Sequence, residues 1–497
     1  MQLKNLKSGS DVRGVAYGKE EDIQLTDEVV RAISEAFVVW LSDKTGKPDL
    51  KIAVGHDSRL SADRIYEVVK DALRSSGAEV YACGLCSTPA MFMMTRFPEV
   101  NADGSIMITA SHMPADKNGL KFFTKQGGLS GSEITELLDY AEAGRKRKSH
   151  TLRLYQRDYM QLYCDYLVSF VQKSTGLEQP LEGFKIIVDA GNGAGGFFAD
   201  RVLRELGADT RGSQFLEPNG NFPNHIPNPE NKAAMDSICA AVVKNEADLG
   251  IIFDTDVDRA AVVAADGTEI NRNRLIALAS AIVLEDTAGA TIVTDSVTSD
   301  GLAKFIGEKG GVHHRFKRGY RNVIDEAVRL NREGTVAPLA IETSGHAAFK
   351  ENFFLDDGAY LVTKLLIKAA QLRAENKTLK DLIADLQNPE EEREVRLSFN
   401  VPDFADYGKM LIARLGEFCE SHDGVIPAKT NYEGFRANIT YASGWFLLRM
   451  SVHDPIMVIN MESDRICGVS QIARFLYAFL SAFSGIDTQP LKIVANS

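Results

Sequence analysis

Cysteine is scarce in this chain, with six residues in 497. A secreted scaffold held by disulfides needs a far denser set, so that class is excluded. Cys83 and Cys86 form a C-x-x-C pair, but no second pair completes a zinc set, and they read as structural thiols. Long apolar runs are missing too. The longest, Leu275 to Leu284, is closed by Arg274 and Glu285, whereas a membrane-spanning helix takes about 20 apolar residues. The opening residues MQLKNLKSGSDVRG hold no apolar signal-peptide core. Net positive charge is also absent: 56 basic residues face 68 acidic ones, a formal charge of −12. A general nucleic-acid binder needs a basic face, so that class is excluded as well, while local binding of small anions stays open. These absences predict a soluble, multidomain protein of a reducing compartment, placed in the cytoplasm, with neither membrane nor nucleic acid as partner.

What is present is alternation. Short β-branched runs, among them Lys51–Val54, Ser105–Thr109, Lys185–Asp189, Leu249–Phe253, Thr291–Thr294 and Leu339–Ile341, alternate with amphipathic stretches such as Asp27–Leu41, Asp63–Ser75, Phe197–Leu206, Met235–Lys244 and Tyr360–Arg373. That grammar predicts βαβ units with buried, largely parallel strands. Breaks fall at the basic stretch Gly144–His150, at the turn Gly267–Asn273 and at the charged linker Gln387–Glu394. The expected domains are therefore residues 1–150, 151–270, 271–388 and 389–497, the last a smaller α+β domain.

Four loops after strands carry chemistry. Asp254, Asp256 and Asp258 alternate in Phe253-Asp-Thr-Asp-Val-Asp-Arg259; three carboxylates converging on a loop suit a hard divalent cation such as Mg²⁺. Arg259 stands ready to neutralise a phosphate. Ser111 sits in Thr109-Ala-Ser-His-Met-Pro114 on a loop stiffened by Pro114, with Lys121 downstream; no G-x-S-x-G surrounds it, so a hydrolase elbow is unsupported. Glu342, Ser344 and His346 offer a carboxylate, a hydroxyl and an imidazole within five positions, able to hold sugar hydroxyls and move a proton. Arg449 and Ser451 in Arg449-Met-Ser-Val-His-Asp-Pro455, at i and i+2 on one strand edge, are expected to serve as a phosphate clamp. A rival signal is Gly191-Asn-Gly-Ala-Gly-Gly196, which matches a dinucleotide fingerprint with Glu217 downstream. Three rival functions follow: a phosphatase with Asp254 as nucleophile, a dehydrogenase built on the glycine turn, and a non-catalytic sugar-phosphate sensor.

Taken in this order, the loops resemble those of the α-D-phosphohexomutase family, the phosphoglucomutase and phosphomannomutase enzymes. TASHMPADKNGLK is similar to its TASHNP loop, DTDVDR to its DGDGDR metal loop, ETSGH to its GExSGH sugar loop and RMSVHDP to its RPSGTEP phosphate loop. Asp11–Gly14, Gly55–Arg59, Pro227–Glu230 and Asp357-Gly358 add to the likeness, and the family carries a D-x-x-N-G-A-G turn like the one containing Gly191. The resemblance implies an α/β fold of four domains around a central cleft, the first three sharing a mixed α/β/α sheet fold. It implies an isomerase that interconverts hexose 1-phosphate and hexose 6-phosphate, of glucose, mannose or both. Ser111 would carry the phosphoryl group, with one Mg²⁺ per subunit held by Asp254, Asp256, Asp258 and the phosphorylated Ser111. Arg13, Lys121 and Arg259 would assist at that group, and His346 would transfer a proton. Glu342, Ser344 and His346, with the loop Lys317, Arg318, Gly319 and Tyr320, would bind the sugar; Arg449, Ser451 and His453 would hold the other phosphate. A hexose 1,6-bisphosphate would be intermediate and activator, and the expected assembly is a monomer or homodimer. Val452, His453 and Asp454 depart from the family's Gly, Thr and Glu.

Overall fold

The computed structural model describes residues 2–147, 149, 151, 153–451 and 454–497. The chain divides into two compact units, residues 1–282 with 344–382 and residues 283–343 with 383–497.

In the first unit one sheet carries the strands Lys7–Ser8, Asp11–Val15, Lys117–Thr124, Gly104–Ile108, Lys51–His56, Glu79–Leu85 and Leu154–Gln156, in that spatial order. Lys51–His56 is parallel to both neighbours, whereas Lys117–Thr124 returns antiparallel beside Gly104–Ile108. Every residue of Gly104–Ile108 is buried, as a strand in the middle of a covered sheet requires. The helices Asp27–Thr45 and Ala62–Ser75 set Phe37, Trp40, Ile65 and Leu73 into one core with Ile52, Val54, Ile106 and Phe122. Full burial of each such side chain contributes about 1.5–3 kcal/mol. The first of these helices begins where the Thr26 hydroxyl accepts from Val29 N and ends at Gly46, whose φ of 69° suits glycine.

A second sheet of this unit has the order Glu269–Ile270, Ala260–Ala264, Leu249–Phe253, Ile186–Asp189. Leu249–Phe253 is parallel to Ile186–Asp189 but antiparallel to Ala260–Ala264, with Phe253 opposite Ala260. The acidic stretch 254–259 is therefore a tight hairpin connection, a departure from the largely parallel pattern expected. The segment expected as an α-helix over Phe197–Leu206 is a π-helix over Phe198–Leu203, whose wider coil packs Phe198 edge-on against Phe253. The hairpin of Ala347–Phe349 and Leu355–Asp356 leads into the helix Gly358–Arg373, which Asp357 caps by accepting from Tyr360 N.

In the second unit Val312–Arg315, Thr291–Thr294 and Leu339–Ile341 pair in that order, all parallel. The helices Asp300–Glu308 and Tyr320–Arg332 form the crossovers. The rest is an antiparallel sheet of Glu391–Ser398, Ile456–Ser463, Gly444–Met450, Phe435–Ile439 and Val425–Pro427. Against it Phe404–Glu420 and Gly468–Leu480 bury Leu411, Leu415, Ile472 and Leu476 on Leu397, Leu448 and Ile459. This is the smaller α+β domain expected after the charged linker, and the α/β class holds through the rest. Among the described residues no helix is long and apolar enough to cross a membrane.

Candidate active site

Strand Gly104–Ile108 delivers the serine loop. Ser111 takes φ of 53°, an unusual conformation for a residue with a Cβ, and its N–H donates to Thr109 Oγ1 at 2.8 Å. Its hydroxyl donates to Asp254 Oδ2 at 3.0 Å and lies 3.2 Å from His112 Nδ1. Ser111 is 1% exposed. Burial and the nearby positive charges of Arg259, Arg13 and His346 push the His112 imidazole down to about 2, so it stays neutral near pH 7.

The hairpin loop brings Asp254, Asp256 and Asp258 together, one ligand oxygen of each lying within 4.8 Å of the others. Asp254 Oδ1 accepts from Arg259 N at 3.2 Å. Asp256 Oδ2 accepts from the Thr88 hydroxyl at 2.5 Å, and Asp256 O accepts from Thr88 N at 2.9 Å. Asp258 Oδ2 pairs with Lys121 Nζ at 2.5 Å, and Lys121 reaches Asp256 Oδ2 at 3.5 Å. Burial, reinforced by the charges of Asp258 and Asp256, holds the Asp254 carboxyl well above the usual range. Burial acts in the same sense on Asp258, but Lys121, His346 and Arg259 outweigh it and lower that carboxyl. Asp256 Oδ1 and Asp258 Oδ1 are buried and take no hydrogen bond. Unused oxygens on hard carboxylate ligands, crowded by like charge, fit a divalent cation such as Mg²⁺.

The remaining groups expected in this unit stand around the two loops. Arg13 donates to Asp11 Oδ2 at 2.8 Å. Arg259 lies 3.6 Å from Glu230 Oε2 and 3.9 Å from Asp254 Oδ2. A backbone bridge between Arg259 and His346 brings the imidazole in, with Nδ1 2.5 Å from Asp356 Oδ2 and 3.9 Å from Asp258 Oδ1. Ser344 is buried at the start of the same segment. Of the Asp357-Gly358 pair, Asp357 works through its carboxylate as the helix cap, and Gly358 through its backbone: a Cβ there would lie 2.6 Å from Arg259 C.

The glycine fingerprint has a structural use. A Cβ on Gly193 would meet Thr255 O at 2.6 Å, and Ala194 N donates to that oxygen at 2.8 Å. The turn thus backs the aspartate loop, and its glycines permit that approach. Cys83 and Cys86 are buried free thiols, both pushed up by burial.

The second unit holds a polar group of its own. Glu342 Oε1 accepts from Gly319 N at 2.6 Å. Glu433 Oε2 accepts from Arg318 N at 3.0 Å and from Ser296 Oγ at 2.6 Å, while Glu433 Oε1 lies 3.9 Å from Arg449 Nη1. Burial lowers the Arg449 guanidinium, against the pull of Glu433. Lys317 is exposed with Nζ 5.9 Å from the Phe316 ring centre, and Tyr320 opens the helix Tyr320–Arg332. Ser451 Oγ accepts from Asp454 N at 3.2 Å; His453 lies outside the described residues. Thr88, Asp356 and Glu433 were not found from sequence. Thr88 sits in an ordinary Ser-Thr-Pro helix start, and nothing local marks any of the three.

A buried hydroxyl set against converging carboxylates and flanked by cationic side chains, on an α/β scaffold, suits phosphoryl transfer. Comparison with known proteins narrows the class. The family descriptions "Phosphoglucomutase/phosphomannomutase, alpha/beta/alpha domain I", "domain II" and "domain III" match residues 4–148, 161–267 and 271–389. A phosphoglucomutase of Neisseria gonorrhoeae is 32% identical over 477 residues, covering 93% of this chain and 94% of the relative. A phosphomannomutase/phosphoglucomutase of Pseudomonas putida is 30% identical over 457 residues, covering 91% and 90%. The crystal structure of a phosphoglucomutase/phosphomannomutase family protein from Burkholderia thailandensis superposes with a TM-score of 0.81 at 28% identity, covering 97% of this chain and 98% of that one. The chain belongs to the phosphoglucomutase/phosphomannomutase family. It is accordingly a hexose-phosphate mutase, an isomerase.

Proposed function

We propose that the protein interconverts the 1- and 6-phosphates of glucose, mannose or both through a phosphoserine at Ser111 and a hexose 1,6-bisphosphate. The observation that carries this reading is the Ser111 hydroxyl, 3.0 Å from Asp254 Oδ2 at the edge of three buried aspartates. Asp254, Asp256, Asp258 and the phosphorylated Ser111 would hold one Mg²⁺, which supplies charge neutralisation at phosphoryl oxygens. Arg13, Lys121 and Arg259 neutralise the group in transit. The sugar hydroxyl forms its new P–O bond as the bond from phosphorus to Ser111 Oγ breaks. His346, steadied by Asp356 beside Nδ1, takes the proton of that hydroxyl and gives it up again as the half-reaction ends with Ser111 Oγ protonated, so no proton is gained or lost overall. The bisphosphate turns over and returns its other phosphoryl group to Ser111. Glu342, Ser344 and His346, with the loop of Lys317, Arg318, Gly319 and Tyr320, bind the sugar; Arg449, Ser451 and His453 bind the phosphate that does not react. The four segments 1–150, 151–270, 271–388 and 389–497 are the domains of this reading. Free buried thiols support a cytoplasmic enzyme. We further propose a monomer or homodimer, with a hexose 1,6-bisphosphate as activator.

A phosphatase using Asp254 as nucleophile is disfavoured, because it leaves Ser111, whose hydroxyl donates to Asp254 Oδ2, without a role, and the relatives named above are mutases. The test is ³¹P NMR with Mg²⁺, a trace of glucose 1,6-bisphosphate and glucose 1-phosphate or mannose 1-phosphate. The parent protein should build the 6-phosphate signal and Ser111→Ala should not, while sugar-phosphate binding persists. Undiminished turnover by Ser111→Ala, or release of inorganic phosphate by the parent, would overturn the reading.

A further inference from the structure

The stretch Gly55-His56-Asp57-Ser58-Arg59 follows the strand Lys51–His56, and an arginine on such a loop invites the role of a phosphate ligand. The geometry gives it another. The Arg59 side chain is fully buried, and its guanidinium is spent on the backbone of the serine loop. Nη1 donates to Pro114 O at 2.7 Å and to Lys117 O at 2.9 Å. Nη2 donates to Met113 O at 2.7 Å and to Ser111 O. Four carbonyls between Ser111 and Lys117, where the serine loop meets the next strand, thus converge on a single cation. Asp57 backs it, with Oδ2 3.3 Å from Arg59 Nε and Oδ1 accepting from Arg59 N at 3.0 Å. Asp57 is itself tied to the sheet, its N–H donating to Ile108 O at 3.1 Å. The loop around residue 220 seals the arrangement: a Cβ on Gly220 would lie 2.4 Å from Leu60 N, and the Phe222 ring centre is 5.6 Å from the guanidinium carbon.

We infer that Arg59 is the positioning residue of the nucleophile: it holds Ser111 in its positive-φ conformation by gathering the loop carbonyls, and it does not touch substrate. Ser111 N is already committed to Thr109 Oγ1, so the amide side of the loop is fixed locally. The carbonyl side has Arg59. Only a planar fork with donors on two separate nitrogens serves four divergent carbonyls at once; a lysine ammonium has three donors on one nitrogen and leaves at least one buried carbonyl unmet. Freed of the clamp, the loop lets the Ser111 Oγ leave its place beside Asp254, and the loss falls on the chemical step, not on binding.

This inference rests on Ser111 being the phosphoryl carrier, and the experiment separates the two. Arg59→Lys should fold, keep the KM of the parent and lose about 10²-fold in kcat, the scale of a displacement near 1 Å at a reacting centre. Its phosphoserine should form more slowly by intact mass when the protein is mixed with glucose 1,6-bisphosphate. Amide hydrogen exchange should quicken in the peptide covering 109–118 and stay at parent rates in 249–264. Added guanidinium ion should restore turnover to Arg59→Ala; if that variant does not fold, the lysine variant decides. Parent kcat in Arg59→Lys, or faster exchange spread evenly over both peptides, would overturn the inference. The exchange readout does not depend on turnover. A parent protein without mutase activity would therefore refute the reading of the site and leave the clamp to be judged on exchange alone.

Discussion

Replacing Thr88 by valine removes one hydroxyl and keeps the shape of the side chain. Thr88 opens the short helix Thr88–Met93 and is 3% exposed. Its hydroxyl donates to Asp256 Oδ2 at 2.5 Å, and its N–H, which valine retains, donates to Asp256 O. A hydrogen bond to a buried carboxylate is worth about 1.5–3 kcal/mol. After the change, Lys121 Nζ at 3.5 Å remains a charged partner to that oxygen, but the hydroxyl that fixed its orientation is gone. Outer-shell partners of metal-binding carboxylates typically govern about 10–100-fold in metal affinity, which at about 1.4 kcal/mol per decade matches the energy of the bond removed. Thr88→Val should therefore need about 10–100-fold more Mg²⁺ for half-maximal mutase turnover, while Thr88→Ser stays near the parent. The assay is turnover against Mg²⁺ concentration at saturating sugar phosphate, with Mg²⁺ binding followed by calorimetry. If Thr88→Val melts lower than the parent yet shows the parent's Mg²⁺ dependence, Thr88 only braces its helix and the reasoning fails.

Two further changes probe the same scaffold. Gly193→Ala sets a methyl group 2.6 Å from Thr255 O, so the aspartate loop must shift; overpacking of this kind costs about 1–3 kcal/mol. Turnover should fall more than stability, compared by thermal melts and kinetics. In the second unit, burial pushes the Glu462 carboxyl up to about 7, against the opposing pull of Trp445 Nε1–H, which donates at 2.8 Å, and of Arg436. A raised acid contributes stability that is fully present below its unfolded value, near 4.5, and lost as pH climbs through about 7. Moving from pH 4.5 to 8 should thus cost the parent about 3 kcal/mol that Glu462→Gln does not lose. Denaturant melts at both pH values check this, and equal losses in both proteins would refute it.

The candidate site loops were legible because each follows a buried strand and bears residues whose charge or polarity has no use in a core. Leu249–Phe253, Thr291–Thr294 and Leu339–Ile341 appear at the bounds expected. Other bounds moved for local reasons: the helix expected from Met235 begins at Lys232, because Asn231 caps it by accepting from Ala234 N. The antiparallel return of Ala260–Ala264 was hidden, since a buried strand reads the same in either direction. The glycine turn could be weighed against a dinucleotide site from sequence, but its contact with Thr255 O is tertiary. Thr88 and Asp256 are 168 positions apart, as Ser296 and Glu433 are 137; no local pattern encodes such pairs. Arg59 was visible only as part of a motif, and its four carbonyl partners gave it a task.

The first unit is discontinuous, made of residues 1–282 and 344–382. On a ribosome, Ser111 and the three aspartates emerge well before His346 and Asp356, which pack against them only after the intervening stretch has been made. At roughly 5–20 residues per second that interval lasts several seconds, during which a nascent chain exposes a crowded set of like charges without its closing segment. A chain truncated before residue 344 would therefore carry Ser111 and the three aspartates, with Lys121 beside them, but without the imidazole of His346 that packs near Asp258.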